Sequence, residues 1–494
     1  MPRRLLATTL AVALPFGLAT AGAARAQDLT INLDGPQDAA APGNPGTLTV
    51  RLGGKLQFLL GDTGLGSANT GYFQDPVTGY AAAAPFAVAP SGALVPAGTP
   101  GARAAAALRE SLPAFRPADI GRLYPHLDGV AGNGLRYGLA LTVAINNVGE
   151  SDSGLYKGPL APGRVSDQPQ LWQAYGYVAS DSWGTLRVGA TDGPSSLFMT
   201  GNFERFNTGG WNGAVPYSFP RQWNTIWPFA DVPAEYSTPK LVYLSPRYQD
   251  FDAAISFEPS GNGLLGAGQS GCAAAPLRAG ALAVGAVSQA GAGCDFIAGA
   301  TPGAQAGRRD TVDAALRYRG QLGEVGLAGY VAYTGSAAVH ASGGAAQSYQ
   351  GLQIGAGGVQ AYYAGVTVGG MLTGGAINNT TASYGLQPAG TAPQTAWLLG
   401  ASYAIERVTI GASYFSSWQA GYQTAATAAT VGTYHAQGAA AGGTYALRPG
   451  VSLYLEYLWG QIKQNGYDLD VFSQGTTHNK LDIQYVGLGT GISW

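Results

Sequence analysis

The chain is predicted to be all-β: a transmembrane, antiparallel, up-and-down β-barrel of about 16 strands. Three observations predict it. The last nine residues run Val486-Gly-Leu-Gly-Thr-Gly-Ile-Ser-Trp494, so Val486, Leu488, Thr490, Ile492 and Trp494 alternate with glycines and Ser493. Period two gives a strand one apolar face and one small or polar face. At the other end, Arg3 and Arg4 precede an apolar run from Leu5 to about Leu18, followed by Ala24-Arg25-Ala26. That is the pattern of a secretory signal peptide, cut between Ala26 and Gln27, and not of a membrane helix. Third, 46% apolar residues coexist with only 11% charged ones and 76 glycines, yet mean hydropathy is +0.04. Lipid-facing and water-facing residues cancel in this way in a barrel wall. The expected division is a signal peptide over 1–26 and one barrel domain over 27–494.

Composition closes off other classes. Disorder does not carry this much apolar residue, and beyond Ala26 no run of about 18 apolar residues remains to form a membrane helix. Without Arg3, Arg4 and Arg25 the chain has fewer basic than acidic residues, so no nucleic-acid partner is indicated. The four histidines, His126, His340, His435 and His478, stand at no ligand spacing, and no metal or cofactor is expected. The two cysteines, Cys272 and Cys294, belong to an exported chain and are expected to close a loop as a disulfide. Such a bond would stabilise by about 3 kcal/mol in the chain-entropy model.

The wall can be followed strand by strand. From 47 to 60, Leu48, Val50, Leu52, Leu56, Phe58 and Leu60 share one face, and Thr49, Arg51, Lys55 and Gln57 the other. Roughly ten residues rising about 3.3 Å each and tilted near 45° cross about 24 Å, the apolar band of a barrel-bearing membrane. From 134 to 147 the pattern repeats, with Tyr137, Leu139, Leu141, Val143 and Ile145 against Arg136, Thr142 and Asn146. The remaining expected strands are 116–126, 168–179, 184–191, 238–245, 250–258, 310–319, 324–333, 349–360, 363–373, 394–404, 407–417, 433–447, 450–462 and 479–494. Two prolines interrupt 116–126, and Gly355 to Gly358 blurs the alternation of 349–360.

Short turns rich in Gly, Pro, Asn and Asp, such as 180–184, 245–250, 319–323 and 447–450, join strands into hairpins. Between the hairpins run long connections: 61–115, 148–167, 192–237, 259–309, 334–349, 374–393, 418–432 and 463–478. Short turns on one side and long loops on the other, with an even strand count, are the asymmetry of an outer-membrane barrel. The Ala-rich stretch 100–109 reads equally as a short helix or a loop.

The chain at this point resembles the general porin family of Gram-negative bacteria, of the alphaproteobacterial type. Gln173-Ala-Tyr-Gly-Tyr-Val-Ala-Ser-Asp-Ser-Trp-Gly-Thr-Leu-Arg-Val-Gly189 is similar to the family's hairpin before its constriction loop. Lys240 to Tyr248 resembles the strand leaving that loop, and Tyr445 to Tyr457 with the terminal Trp strand resembles the last hairpins. The resemblance spans about 28–494. It departs in ending on Trp494, where Phe is commoner, and in the long Ala/Gly-rich loops 61–115 and 259–309. It implies a 16-stranded barrel whose third loop folds inward and narrows the channel. It also implies a homotrimer in outer-membrane lipid, inserted by the barrel-assembly machinery with Trp494 as the C-terminal signal. The implied activity is passive diffusion of small hydrophilic solutes and ions.

The third long connection holds Asp192, Glu204, Asp231 and Glu235 against Arg205 and Arg221, while Arg51, Lys55, Arg136 and Arg187 lie on the polar faces of nearby strands. Opposed charges across a narrow wet gap make a transverse field that sorts solutes by charge. Pore lining is the preferred reading for the strand bases, because a lipid-facing charge costs about 2–4 kcal/mol. For any one loop acid, an ordinary solvated charge is preferred. Asp252, Glu258, Asp313, Glu324, Glu456 and Asp482 are expected to balance the strand bases in the lumen. The loop's aromatics, including Phe198, Phe206, Trp211, Trp227 and Phe229, could stack on sugars; the preferred reading is that they pin the loop to the wall. The alternatives to a general diffusion channel are a sugar-selective channel, an adhesion barrel and an enzyme. The last lacks any nucleophile–base motif near the histidines.

Overall fold

The computed structural model describes residues 46, 48–65, 70–72, 86–88, 94–96, 103–104, 109–111, 115–146, 170–202, 206, 208–213, 215–218, 227–229, 238–260, 309–337, 339–340, 348–377, 390–421, 432–469, 473–474 and 479–494. Sixteen antiparallel strands close into one barrel. They are β1 (Leu48–Leu65), β2 (Phe115–Val130), β3 (Arg136–Asn146), β4 (Gln170–Ser180), β5 (Gly184–Thr191), β6 (Thr238–Leu244), β7 (Phe251–Ser260) and β8 (Arg309–Leu322). The second half comprises β9 (Val325–Gly335), β10 (Gln353–Tyr363), β11 (Val366–Ala376), β12 (Gln394–Ile405), β13 (Val408–Ala420), β14 (Thr433–Arg448), β15 (Val451–Gln464) and β16 (Lys480–Ser493).

Every strand pairs with its sequence neighbours, and β16 closes the ring against β1 from Lys55↔Ser493 to Leu65↔Ile483. Closure satisfies the backbone polar groups that an open edge would leave in hydrocarbon. At the seam, Gly54 and Trp494 exchange backbone bonds of 3.2 and 3.1 Å. A side chain at Gly54 would collide with the Trp494 ring, so glycine there lets the last residue lie flat against β1.

All 16 expected strands exist, including the two whose patterns were interrupted. β2 reaches Val130, beyond the expected end, and Pro117 and Pro125 both sit inside it. β10 begins at Gln353, four residues late, and its glycines face both ways. Turns are tight on one rim. Between β10 and β11 only Ala364 (φ 48°) and Gly365 (φ 84°) intervene, the doubly left-handed geometry that suits a two-residue hairpin. On the other rim the long connections carry short ladders of their own. Thr70–Tyr72 pairs with Arg109–Ser111, and Phe86–Val88 with Leu94–Pro96 and Arg103–Ala104. Arg103–Ala104 is extended, and 100–102 and 105–108 of the Ala-rich stretch lie outside the described residues.

Alternation sorts the two faces. Leu60, Ile255, Val331, Leu372, Leu399 and Leu488 point outward and are about half exposed or more, the band that meets lipid. Inward positions hold buried polar groups, among them Gln57, Thr142, Gln173, Thr311, Gln360 and Gln394. The described residues contain no helix able to cross a membrane, which is consistent with crossing by strands.

One expectation is corrected. There is no disulfide among the described residues, and Cys272 and Cys294 lie outside them. A disulfide needs sulfurs about 2.05 Å apart on closely apposed Cβ atoms. A separation of 22 positions along a connection does not by itself bring that about.

Candidate functional site

The third long connection leaves β5 at Thr191 and turns inside the barrel, where it can be followed along the wall. A single helical turn, α1 (Pro194–Leu197), lies against β7, β8 and β9, its Ser195 N–H donating to Asp313 Oδ2 at 2.8 Å. Asp313 also accepts from Thr334 Oγ1 at 3.2 Å and is fully buried. Phe198 lies over the guanidinium of Arg317, 4.1 Å from Cζ to the ring centre. That guanidinium is fixed by Asp252 through two bonds of 3.1 and 2.5 Å, and Arg319 adds a third at 3.0 Å.

The loop then passes β10 and β11, where its backbone lies so close that a Cβ at Gly358 would overlap Thr200 O. Farther round, Phe206 O accepts from Thr444 on β14 at 3.0 Å, and the Phe206 ring occupies the space above Gly411. At β15, Glu456 is completely buried and accepts from Thr208 Oγ1 and from Gly210 N, the latter at 3.1 Å. Trp211 Nε1 donates to Ala439 O at 3.1 Å, and its ring fills the hollow left by Gly438 and Gly460. Trp227 meets Phe415 edge-on at 5.3 Å and Phe229 at 5.1 Å. These aromatics join Tyr330, Met371, Leu398 and Leu458 in one apolar cluster inside the barrel. Inward glycines in the wall are thus seats for the loop, and buried wall acids are its hydrogen-bond anchors.

Basic groups concentrate on the inner face of the early strands. Arg51 binds Asp128 at 2.5 Å and approaches His126 Nδ1 at 3.3 Å, and Asp128 also accepts from Tyr177 Oη. Arg122 stands 5.2 Å from the Trp172 ring, and Arg187 stands 5.0 Å from the Tyr175 ring. Lys55 and Arg122 are directly opposite in the β1–β2 register, as are Arg51 and His126. Arg136 lies at the turn end of β3, 2.6 Å from the exposed Asp181. Asp192 is buried at the loop's entry, while Glu204, Arg205, Arg221, Asp231 and Glu235 lie outside the described residues.

The expected lumen acids fall into four situations. Asp252, Asp313 and Glu456 hold the loop or its contacts, and Glu258 pairs with Lys240 at 3.5 Å with neither side chain exposed. Glu324 sits in the turn between β8 and β9, and Asp482 lies on the outward row of β16, bonded by Gln461 at 2.6 Å. Arg122, His126, Asp128, Lys240 and Arg317 carry no site assignment from sequence. The strand pairing makes them neighbours of residues that do, and alternation within β2 would have put the first three on the inner face.

A closed barrel with an outward apolar band, a polar inner wall and a long loop lodged within it defines an outer-membrane channel. The chain belongs to the Gram-negative porin family, whose model matches residues 7–465. Fold and family together give a passive transport role and not a catalytic one. Among solved structures the chain is similar to the in-vitro folded trimer form of OmpT from Vibrio cholerae, with 10% identity, 90% of this chain and 99% of that one covered, and a TM-score of 0.45. It is likewise similar to a loop-deletion mutant of the same protein, at 10% identity, 90% and 99% coverage, and a TM-score of 0.45. A triple mutant of the Rhodopseudomonas blastica porin is also similar, at 11% identity, 90% and 100% coverage, and a TM-score of 0.43. No curated protein matches this chain.

Proposed function

We propose that this porin passes small hydrophilic solutes and ions through a constriction bounded by the third long connection and by the basic inner face of β1, β2 and β5. The observation that supports this most is the lodging of that connection inside the barrel, anchored from Asp313 round to Glu456. Arg51, Lys55 and Arg187 supply positive charge on one side, with Arg136 nearer the turn rim. Glu204, Asp231 and Glu235 supply negative charge on the other, with Arg205 and Arg221 interspersed, and Asp192 stands buried at the loop's entry beside β5. The described aromatics of the loop are packed into the wall and lend no support to a sugar slide.

Removal of residues 1–26 on export, assembly as a homotrimer and insertion through the barrel-assembly machinery belong to the same proposal. The trimer rests on family membership. A native mass of monomer alone in mild detergent would refute it.

The field is tested by reversal potentials in a salt gradient across a planar bilayer. Glu204→Gln with Asp231→Asn is expected to lower cation preference. The shift should shrink as salt rises, because the Debye length falls from about 10 Å at 0.1 M to about 3 Å at 1 M. An unchanged reversal potential at low salt would sink the constriction assignment and leave the barrel standing.

A further inference from the structure

On β14 and β15 the outward face changes character at one level, and on β16 one row lower. Below it stand Ala439 and Ala441 on β14 and Tyr457 and Trp459 on β15, while on β16 Gln484, the partner of Trp459, precedes Val486 and Leu488. At it stand Gln437, Gln461 and Asp482, directly opposite one another on the three strands. They form a chain: Tyr414 Oη donates to Gln437 Oε1 at 2.6 Å, Gln437 Nε2 to Gln461 Oε1 at 3.1 Å, and Gln461 Nε2 to Asp482 Oδ1 at 2.6 Å. Polar side chains on a lipid-facing surface mark where hydrocarbon ends, since unpaired they would cost several kcal/mol each.

The next row outward holds His435, Lys463 and Lys480, again directly opposite one another. Both lysines are exposed. Like charges facing each other across a strand pair are destabilising unless something neutralises them. Asp482 is 3.3 Å from Lys480 and already accepts from Gln461, so among the described residues one carboxylate stands beside the two ammonium groups. Strands rise about 3.3 Å per residue and tilt near 40°, so the chain climbs roughly 2.5 Å per residue and Lys463 stands about 33 Å above Gly450. An apolar band about 25 Å tall ends below that height. Trp418, stacked on His435 at 4.8 Å, and Trp459 flank the position as interfacial aromatics do.

We propose that Lys463 and Lys480 form a binding site for the phosphate group of an outer-leaflet lipid, whose acyl chains run down the apolar face beneath. This goes beyond the channel reading and needs no conducting pore.

The test is the heat-unfolding midpoint of the full-length folded barrel in neutral detergent. Added probes are phosphatidic acid, diacylglycerol of the same chain length, and inorganic phosphate. Phosphatidic acid should raise the midpoint, and diacylglycerol or inorganic phosphate alone should not. Lys463→Gln with Lys480→Gln should weaken the phosphatidic acid response at least tenfold in half-saturating concentration. Lys463→Arg with Lys480→Arg should keep it. An undiminished response in the Gln variant would overturn the proposal. So would a full response to inorganic phosphate, which would indicate a free-anion site. Dissociation of the Gln variant into monomers without any lipid would also overturn it, by assigning the lysines to contact with another copy of this chain.

Discussion

Replacing Glu456 with alanine removes the carboxylate that receives both Thr208 Oγ1 and the Gly210 N–H. Both donors stay inside a packed cluster, because Trp211 next to them is held by Ala439 O and by the hollow over Gly438 and Gly460. A buried donor left unsatisfied costs about 1–3 kcal/mol. Two of them therefore weaken this part of the loop's attachment by about 3 kcal/mol, which is about a hundredfold in the docked-to-released ratio. The strand ladder does not involve the carboxylate, so the barrel itself should stay folded. Glu456→Gln keeps one acceptor and should lose about half as much. The assay is single-channel current in a planar bilayer, with heat-unfolding of the same preparation as the control for folding. The expected result is transient closures and open-channel noise that rise from wild type through Gln to Ala, with the unfolding midpoint nearly constant. A quiet Ala channel with wild-type conductance in a folded barrel would refute the anchoring role.

Gly460→Leu would drive a side chain into the Trp211 ring, an overpacking cost of about 1–3 kcal/mol, and should give the same noisy channel by a steric route. Lys240→Met leaves Glu258 buried without its cation and should destabilise the barrel by about 3–5 kcal/mol, read as a lower heat-unfolding midpoint; a neutral result would mean that Glu258 is otherwise neutralised. Gly54→Val removes the seat of the Trp494 ring at the closing seam, and should lower the yield of heat-modifiable folded barrel in refolding into vesicles.

Alternation along the strands was legible without coordinates because it is a local property. A residue's side of a membrane sheet depends only on parity and on the cost of charge in lipid. That is why 47–60 and 479–494 could be read directly, and why the turns at 245–250 and 447–450 announced themselves by Gly, Pro and Asp. Boundaries slipped where parity says nothing. The end of β2 at Val130 is set by its pairing with β1 and β3, which no window of sequence contains.

The inner face was legible as polar but not as a set of partners. Asp313 and Glu456 look in sequence like any other inward carboxylates that balance the strand bases. Only the path of the third long connection past β8 and on to β15 turns them into anchors, for residues 118 and 246 positions away. The glycines at 358, 411, 438 and 460 likewise give no sign in sequence of the room they leave, which the loop's backbone, Phe206 and Trp211 fill. Asp482 reads from sequence as a lumen acid, but the side chains of Leu481 and Ile483 on either side of it hold the inner positions. By itself, then, the sequence determined that the chain is a lipid-facing barrel of 16 strands with long loops on one rim, because burial in a membrane acts residue by residue. Tertiary structure alone decided which wall residues hold the inner loop and which are left to face solute or lipid. Those assignments depend on contacts between segments far apart in the chain, and periodicity carries no record of them.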